Sequence, residues 1–197
     1  MRRSTFLILV TLGAAVVGFT LASSAGRLRD KEPAAGTSSA ARPQFAPLHW
    51  REKTDGPKGK RLEFSVDRFY VLARGWQARV GLKNDSAVAF QVGGVQSPLN
   101  RSFGLMLFLS GDQEDLEDRV GTGRLPTLRA AMKYEPSLPP ILEPHSSWKG
   151  TISAPGSLVA GSWVRVVFGT LVAVGRTPDE FPARLVWITD HAYRLRP

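Results

Sequence analysis

The chain has 197 residues, 43% of them hydrophobic and 22% charged, and it contains no cysteine. That is enough apolar material for one core plus extra segments, and it excludes disulfides, thiolate nucleophiles, thiolate metal sites and a lipidated cysteine. The net charge is +9, yet residues 61–197 hold sixteen Lys/Arg against thirteen Asp/Glu, a balance of only +3, with no basic run interleaved by aromatics, so nucleic acid is not expected as a partner.

Arg2 and Arg3 precede an uncharged apolar stretch from Thr5 to Ala22, 18 residues long. A bilayer-spanning helix needs about 20, and positive charge ahead of it directs the downstream chain across the membrane. Residues 1–25 therefore read as a transmembrane anchor, or as a signal peptide cleaved after Ala25. The stretch exceeds the ~7–15 apolar residues of an ordinary signal core, which favours the anchor. Both readings put the rest of the chain outside the cytoplasm. One makes it a single-pass membrane protein attached through residues 5–22, the other a secreted protein.

Residues 26–58 read as a flexible linker. "KEPAAGTSSAARPQFAP" and "REKTDGPKGK" are rich in proline, glycine, serine and charge, with little apolar surface to offset the entropy of ordering. Phe45, Leu48 and Trp50 are the exceptions, and they suit an edge segment docked on the domain or, for Trp50, a membrane-interface contact.

Residues 59–197 read as the domain, and from Arg61 the pattern turns to period two. "RLEFSVDRFYVL" puts Leu62, Phe64 and Val66 on one face. In "WQARVGLK", Trp76, Ala78, Val80 and Leu82 alternate with polar or small residues, as in a half-buried strand. Turn chemistry at Asn84–Ser86 and the run "AVAFQVGG" then predict a hairpin. "FGLMLFLSG" is apolar on both faces and reads as a central strand. "LPTLRAAMKY" is the one place for a turn or two of helix, within the longest irregular stretch, Gly111–Pro140. "WKGTISAPG", "WVRVVFGTLVAVG" and "ARLVWITDHAYRL" add three strands, with turns at Ala154-Pro155-Gly156 and Gly161. In the second, Val164, Val166 and Phe168 point inward, with Arg165 and Val167 on the other face. About seven strands separated by turns predict an all-β antiparallel sandwich.

The order "VGLKNDS", "FGLMLFL", "LEPHSSWKGTISAPG", "WVRVVFG" resembles immunoglobulin-like domains of exported and membrane-anchored proteins in high-GC bacteria. The resemblance covers residues 61–195 and implies an immunoglobulin-like sandwich. The Cys–Trp–Cys core of antibody domains is absent, and no functional residue carries over.

Few residues suggest chemistry. Ser146 and Lys149 match Ser-x-x-Lys, which needs a helix to bring amine and hydroxyl together; a β-type run comes next here, and positions three apart on a strand face opposite ways. His49, His145 and His191 have no metal-pair spacing, so no metal and no cofactor are expected, and Asp190-His191 with Ser146 is a triad only on paper. Asn84-Asp85-Ser86 and Asn100-Arg101-Ser102 match the glycosylation pattern. Asp112, Glu114, Asp115, Glu117 and Asp118 form an acidic segment without the glycine of a calcium loop, read as a solvated loop able to bind a basic partner. The expected protein is a non-enzymatic envelope module that binds a protein or polymer. Two alternatives stand beside it: a small envelope hydrolase using Ser146 or His145, and a structural accessory subunit of a membrane complex.

Overall fold

The computed structural model describes residues 39–55, 61–92, 103–109, 112–175 and 183–197. The anchor or signal expected at 1–25, the first part of the linker and Asn100 lie outside the described residues. No helix among the described residues is long and apolar enough to cross a membrane.

Two antiparallel sheets face each other, in line with the expected sandwich. The first contains, in spatial order, β1 (Gln44–Asp55), β2 (Arg61–Leu72), β3 (Gly75–Asn84), β9 (Ser147–Pro155) and β7 (Lys133–Glu135). The second runs β6 (Arg129–Ala130), β5 (Phe103–Phe108), β10 (Trp163–Ala173), β4 (Phe90–Val92) and β8 (Ile141–Leu142). Two further strands, β11 (Arg184–Ile188) and β12 (Tyr193–Arg194), also pair with β10. One helix, α1 (Gln113–Gly121), completes the described elements. β10 is the hub of its sheet: Phe168 pairs with Phe103 on one side and Trp187 on the other, and Leu171 likewise with Val92 and Leu185.

Alternation decides what is buried. Trp76, Ala78, Val80 and Leu82 of β3 all point into the core, as their spacing predicts. In β2 the pattern is Leu62, Phe64, Val66 and then Phe69, Val71, all buried. The change of parity is made by a bulge: the register shifts between Val66 and Arg68, so Asp67 is the extra residue. Were the strand regular through Asp67, Arg68 and Tyr70 would point inward in place of Phe69 and Val71. The sheets meet through aromatic rings. Phe64 of β2 lies 5.6 Å from Phe103 and 5.8 Å from Trp187, and Phe103 lies 4.4 Å from Phe168.

Four expectations are corrected. First, the stretch assigned to linker up to residue 58 contains β1, paired along β2 from Gln44↔Val71 to Asp55↔Arg61. Trp50 and Ala46 are buried. Gln44 ties the strand to the C-terminus, accepting from the Tyr193 hydroxyl and the Arg196 amide, both at 3.0 Å. The few apolar residues of this polar stretch are the docking contacts, so its ordering entropy is offset. Second, twelve strands appear among the described residues, where about seven were expected. Third, "LPTLRAAMKY" is extended, forming β6 and part of β7, and the helix lies instead at Gln113–Gly121. Fourth, β3 and β4 form no hairpin: β3 pairs with β2 and β9, while β4 joins β10 and β8 in the other sheet.

The crossing from β3 to β4 is made by Asn84, which is 0% exposed. Its Nδ2 donates to the carbonyls of Val88 at 2.7 Å and Glu143 at 3.0 Å. Its Oδ1 accepts from the Ser86 amide at 3.0 Å and the Ser86 hydroxyl at 2.6 Å. The amide therefore ends one sheet, bends the chain and holds the segment after β8. Burial also removes Asn84 as a glycosylation acceptor in the folded protein. The turns after β9 need glycine: Gly156 has φ +107° and Gly161 φ +78°, a region other residues enter at a cost.

Asn84→Ala removes the donor to the Val88 and Glu143 carbonyls and leaves the buried Ser86 amide without its acceptor. A loss of about 3 kcal/mol is expected, a fall in Tm of roughly 10 °C for a domain of this size. Asn84→Asp should cost more, because a carboxylate oxygen would then face the Val88 and Glu143 carbonyls. Thermal unfolding of the three proteins checks both statements.

Candidate functional site

The acidic segment is a helix with its charges sorted along the axis. Asp112 is the N-cap, and its carboxylate accepts from the Asp115 amide at 2.8 Å. Glu114 and Asp115 sit in the first turn and Arg119 in the last, the arrangement a helix dipole favours. Leu116 is fully buried.

The helix covers the outer face of the second sheet. On β10, Val164, Val166 and Phe168 enter the core, so Arg165 and Val167 fall on the opposite face; both are buried, as is Phe108 of β5. Phe108, Val167 and Leu116 are separate from the main core cluster. Arg165 is only 2% exposed, and its Nη2 donates to Glu117 Oε1 at 2.5 Å. Arg165 Nε has no hydrogen-bond partner. A guanidinium taken out of water needs its carboxylate, because leaving it unpaired carries the full desolvation cost. Glu117 itself is half-exposed.

The five predicted carboxylates thus divide by role. Asp112 caps the helix. Glu117 turns to the sheet and Arg165. Asp118 pairs with Arg124, which also donates to the Thr122 hydroxyl at 2.9 Å. Glu114 and Asp115 face solvent from the first turn, and their side chains form no hydrogen bond or ion pair with a described residue. Among the described residues, no group of three or more His, Asp or Glu could hold a metal ion. Arg165 is the residue whose part in this site the alternation alone concealed. Its signal was a charged residue in the most apolar strand of the chain.

The residues named for hydrolysis are not brought together. Ser146 Oγ donates to the Glu143 carbonyl at 2.6 Å, closing a turn. Lys149 lies exposed on β9. His145 is exposed in the turn before Ser146, with φ +56°. His49, at φ +52°, sits where the β1 register shifts between Pro47 and Trp50. His191 stacks on Trp50 with centroids 5.9 Å apart, and its Nδ1 lies 3.5 Å from Glu52 Oε1. The same carboxylate oxygen accepts from the Asp190 amide at 2.9 Å. No hydrogen bond joins Ser146, His145 and His191. The chain was compared with protein families, curated proteins and solved structures, and nothing matches it.

The docking of α1 has an asymmetric energetic signature. Glu117→Ala strands a buried guanidinium and is expected to cost about 2 kcal/mol. Arg165→Met frees a carboxylate that water reaches, and fills the site with apolar atoms, so it should cost less. Urea denaturation of both variants measures the difference; an equal or larger loss for Arg165→Met contradicts it.

Proposed function

We propose that the chain is a non-enzymatic cell-envelope protein presenting an extracytoplasmic, immunoglobulin-like β-sandwich that binds a protein partner through α1. The immunoglobulin-like reading is supported by strand order. β2-β3-β9-β7 against β5-β10-β11 matches the four-plus-three arrangement of constant-type immunoglobulin domains. β1 is an additional edge strand. The envelope location rests on the apolar stretch from Thr5 to Ala22 behind two arginines.

The observation that carries the binding role is the clamped acidic helix. Leu116 and the Glu117–Arg165 pair hold α1 against the sheet, so Glu114 and Asp115 are presented from a fixed frame. Preorganised charge of one sign selects a partner of the other sign and speeds encounter. The partner surface is therefore basic.

The test is cross-linking in intact native cells, then capture of the full chain and mass spectrometry. One envelope protein should be enriched, and the double variant Glu114→Lys/Asp115→Lys should recover it at least about tenfold less. Both positions are exposed and outside the core, and circular dichroism and Tm check that the variant, with its less favourable first-turn charge, keeps helix and fold. Enrichment of no protein, or enrichment unchanged by the charge reversal, overturns the assignment to α1.

A further inference from the structure

The two outer faces of the sandwich differ. The second sheet is covered by α1, while the outward residues of the first sheet include several exposed cations. Four cations on this face are matched. Arg51 lies 2.6 Å from Asp67 and Lys53 lies 3.8 Å from Glu63. Lys83 pairs with Asp85 at 2.9 Å and Lys133 with Glu135 at 2.6 Å. Of those left over, three, Arg68, Arg79 and Lys149, are exposed, and their side chains form no ion pair or hydrogen bond with a described residue.

Their placement on the sheet is regular. Arg68 of β2 is directly opposite Arg79 of β3, and Arg79 is diagonal to Lys149 because Gly81 pairs with Lys149 and Arg79 with Thr151. Directly paired side chains sit about 5 Å apart and diagonal ones about 7–8 Å. Like charges in direct register cost stability, so this line of cations serves no purpose in folding. Ser65 and Gly81 beside it keep the floor of the face low.

One corner of the same face is apolar. Leu72 and Tyr70 come after Arg68 on the outward side of β2, and Phe45 of β1 pairs with Tyr70, the rings 5.0 Å apart. Phe45 is 51% exposed and Leu72 43%. Aromatic and aliphatic side chains beside a row of cations match the chemistry of a membrane interface: rings enter at headgroup level and cations meet lipid phosphates. The corner is also where the chain enters the sheet. Residues 23–43, 21 in all, separate the apolar stretch from β1. Such a tether reaches at most about 75 Å, so attachment through residues 5–22 would raise the effective concentration of this face at the bilayer.

We propose that the outer face of the first sheet docks on anionic phospholipid, with Phe45, Tyr70 and Leu72 in the interface and Arg68, Arg79 and Lys149 on the headgroups. The proposal rests on the reading of residues 5–22 as a membrane anchor. In this pose the acidic helix, on the opposite sheet, points away from the membrane towards its partner.

The chain has no cysteine, so one introduced thiol is a unique reporter. Full-length protein carrying Ala73→Cys, in the β2–β3 turn beside the corner, is labelled with an environment-sensitive dye. It is reconstituted in vesicles of phosphatidylcholine alone or mixed with phosphatidylglycerol. A blue shift and quenching by nitroxide lipids are expected with the anionic vesicles only. A dye at Leu125→Cys, just after α1, should stay in water. Replacing Arg68, Arg79 and Lys149 by Gln should weaken docking on the order of a hundredfold, with an unchanged Tm showing that the fold survives. Flotation with neutral vesicles reports the anchor separately: a chain that stays behind refutes the anchor, and its dye response to added anionic vesicles still reports the face. No shift with anionic lipid, or a shift untouched by the three substitutions, overturns the proposal. So does a shift that tracks protein concentration, as self-association would give, or one produced by soluble anionic polymer but not by vesicles.

Discussion

The sandwich depends on one buried carboxamide. β3 and β4 are neighbours in sequence and lie in different sheets, so the chain must leave one hydrogen-bonded ladder and enter another within a few residues. Backbone groups in such a crossing have no strand partner, and burial without partners is costly. Asn84 supplies both a donor pair and an acceptor at that point. Its amide holds the Val88 carbonyl on the way to β4 and the Glu143 carbonyl on the way to β9, while its oxygen takes the Ser86 amide and hydroxyl. The ring contacts between Phe64, Phe103, Phe168 and Trp187 fill the space between the sheets, but they are non-directional. The carboxamide sets where the chain changes sheet.

The two outer faces then obey different rules. Arg165 occupies a position that alternation sends away from the core, and the face it reaches is covered. A helix whose buried contact is essentially Leu116 has little apolar surface with which to bind. The Glu117–Arg165 bond supplies direction: it fixes which side of α1 meets the sheet and leaves Glu114 and Asp115 outward. On the first sheet the outward residues are charged, small or hydroxylated, as a solvent-facing antiparallel sheet requires. Three exposed cations without a partner among the described residues, and an apolar corner, depart from that plain pattern. The proposed roles assign one face to a basic partner and the other to anionic lipid, so opposite charge on opposite sides would orient the domain.

Hydrolysis draws no support from the geometry. Ser146 is spent on a turn, His145 adopts a left-handed backbone in that turn, and His191 is held by Trp50 and Glu52 against β1. These positions are what turn and edge chemistry demands of polar residues near strand ends. The polar contacts of Gln44, Glu52 and Asp190 instead close the sandwich, where β1 meets the last residues of the chain.

Local pattern by itself determined several of the longer strands and the face they bury, β3 and β5 most plainly. Period-two alternation in "WQARVGLK" and the doubly apolar "FGLMLFL" needed no tertiary information, because side-chain direction in a strand is a property of the backbone. The turns at Gly156 and Gly161 were legible for the same reason. What only the tertiary structure decided was every choice among partners. Periodicity does not say which strands pair, so the expected hairpin at Asn84 became a sheet crossing. "QEDLEDRVG" carries one buried apolar residue, too little for a helical period, and became a helix because a cap, sorted charges and a buried arginine waited for it. The β1 stretch looked like linker because its few apolar residues have value only against β2 and the C-terminal strand. The line Arg68–Arg79–Lys149 is scattered over three strands, and register alone assembles it. Pairing energy is non-local, and a sequence read in order displays only the local part.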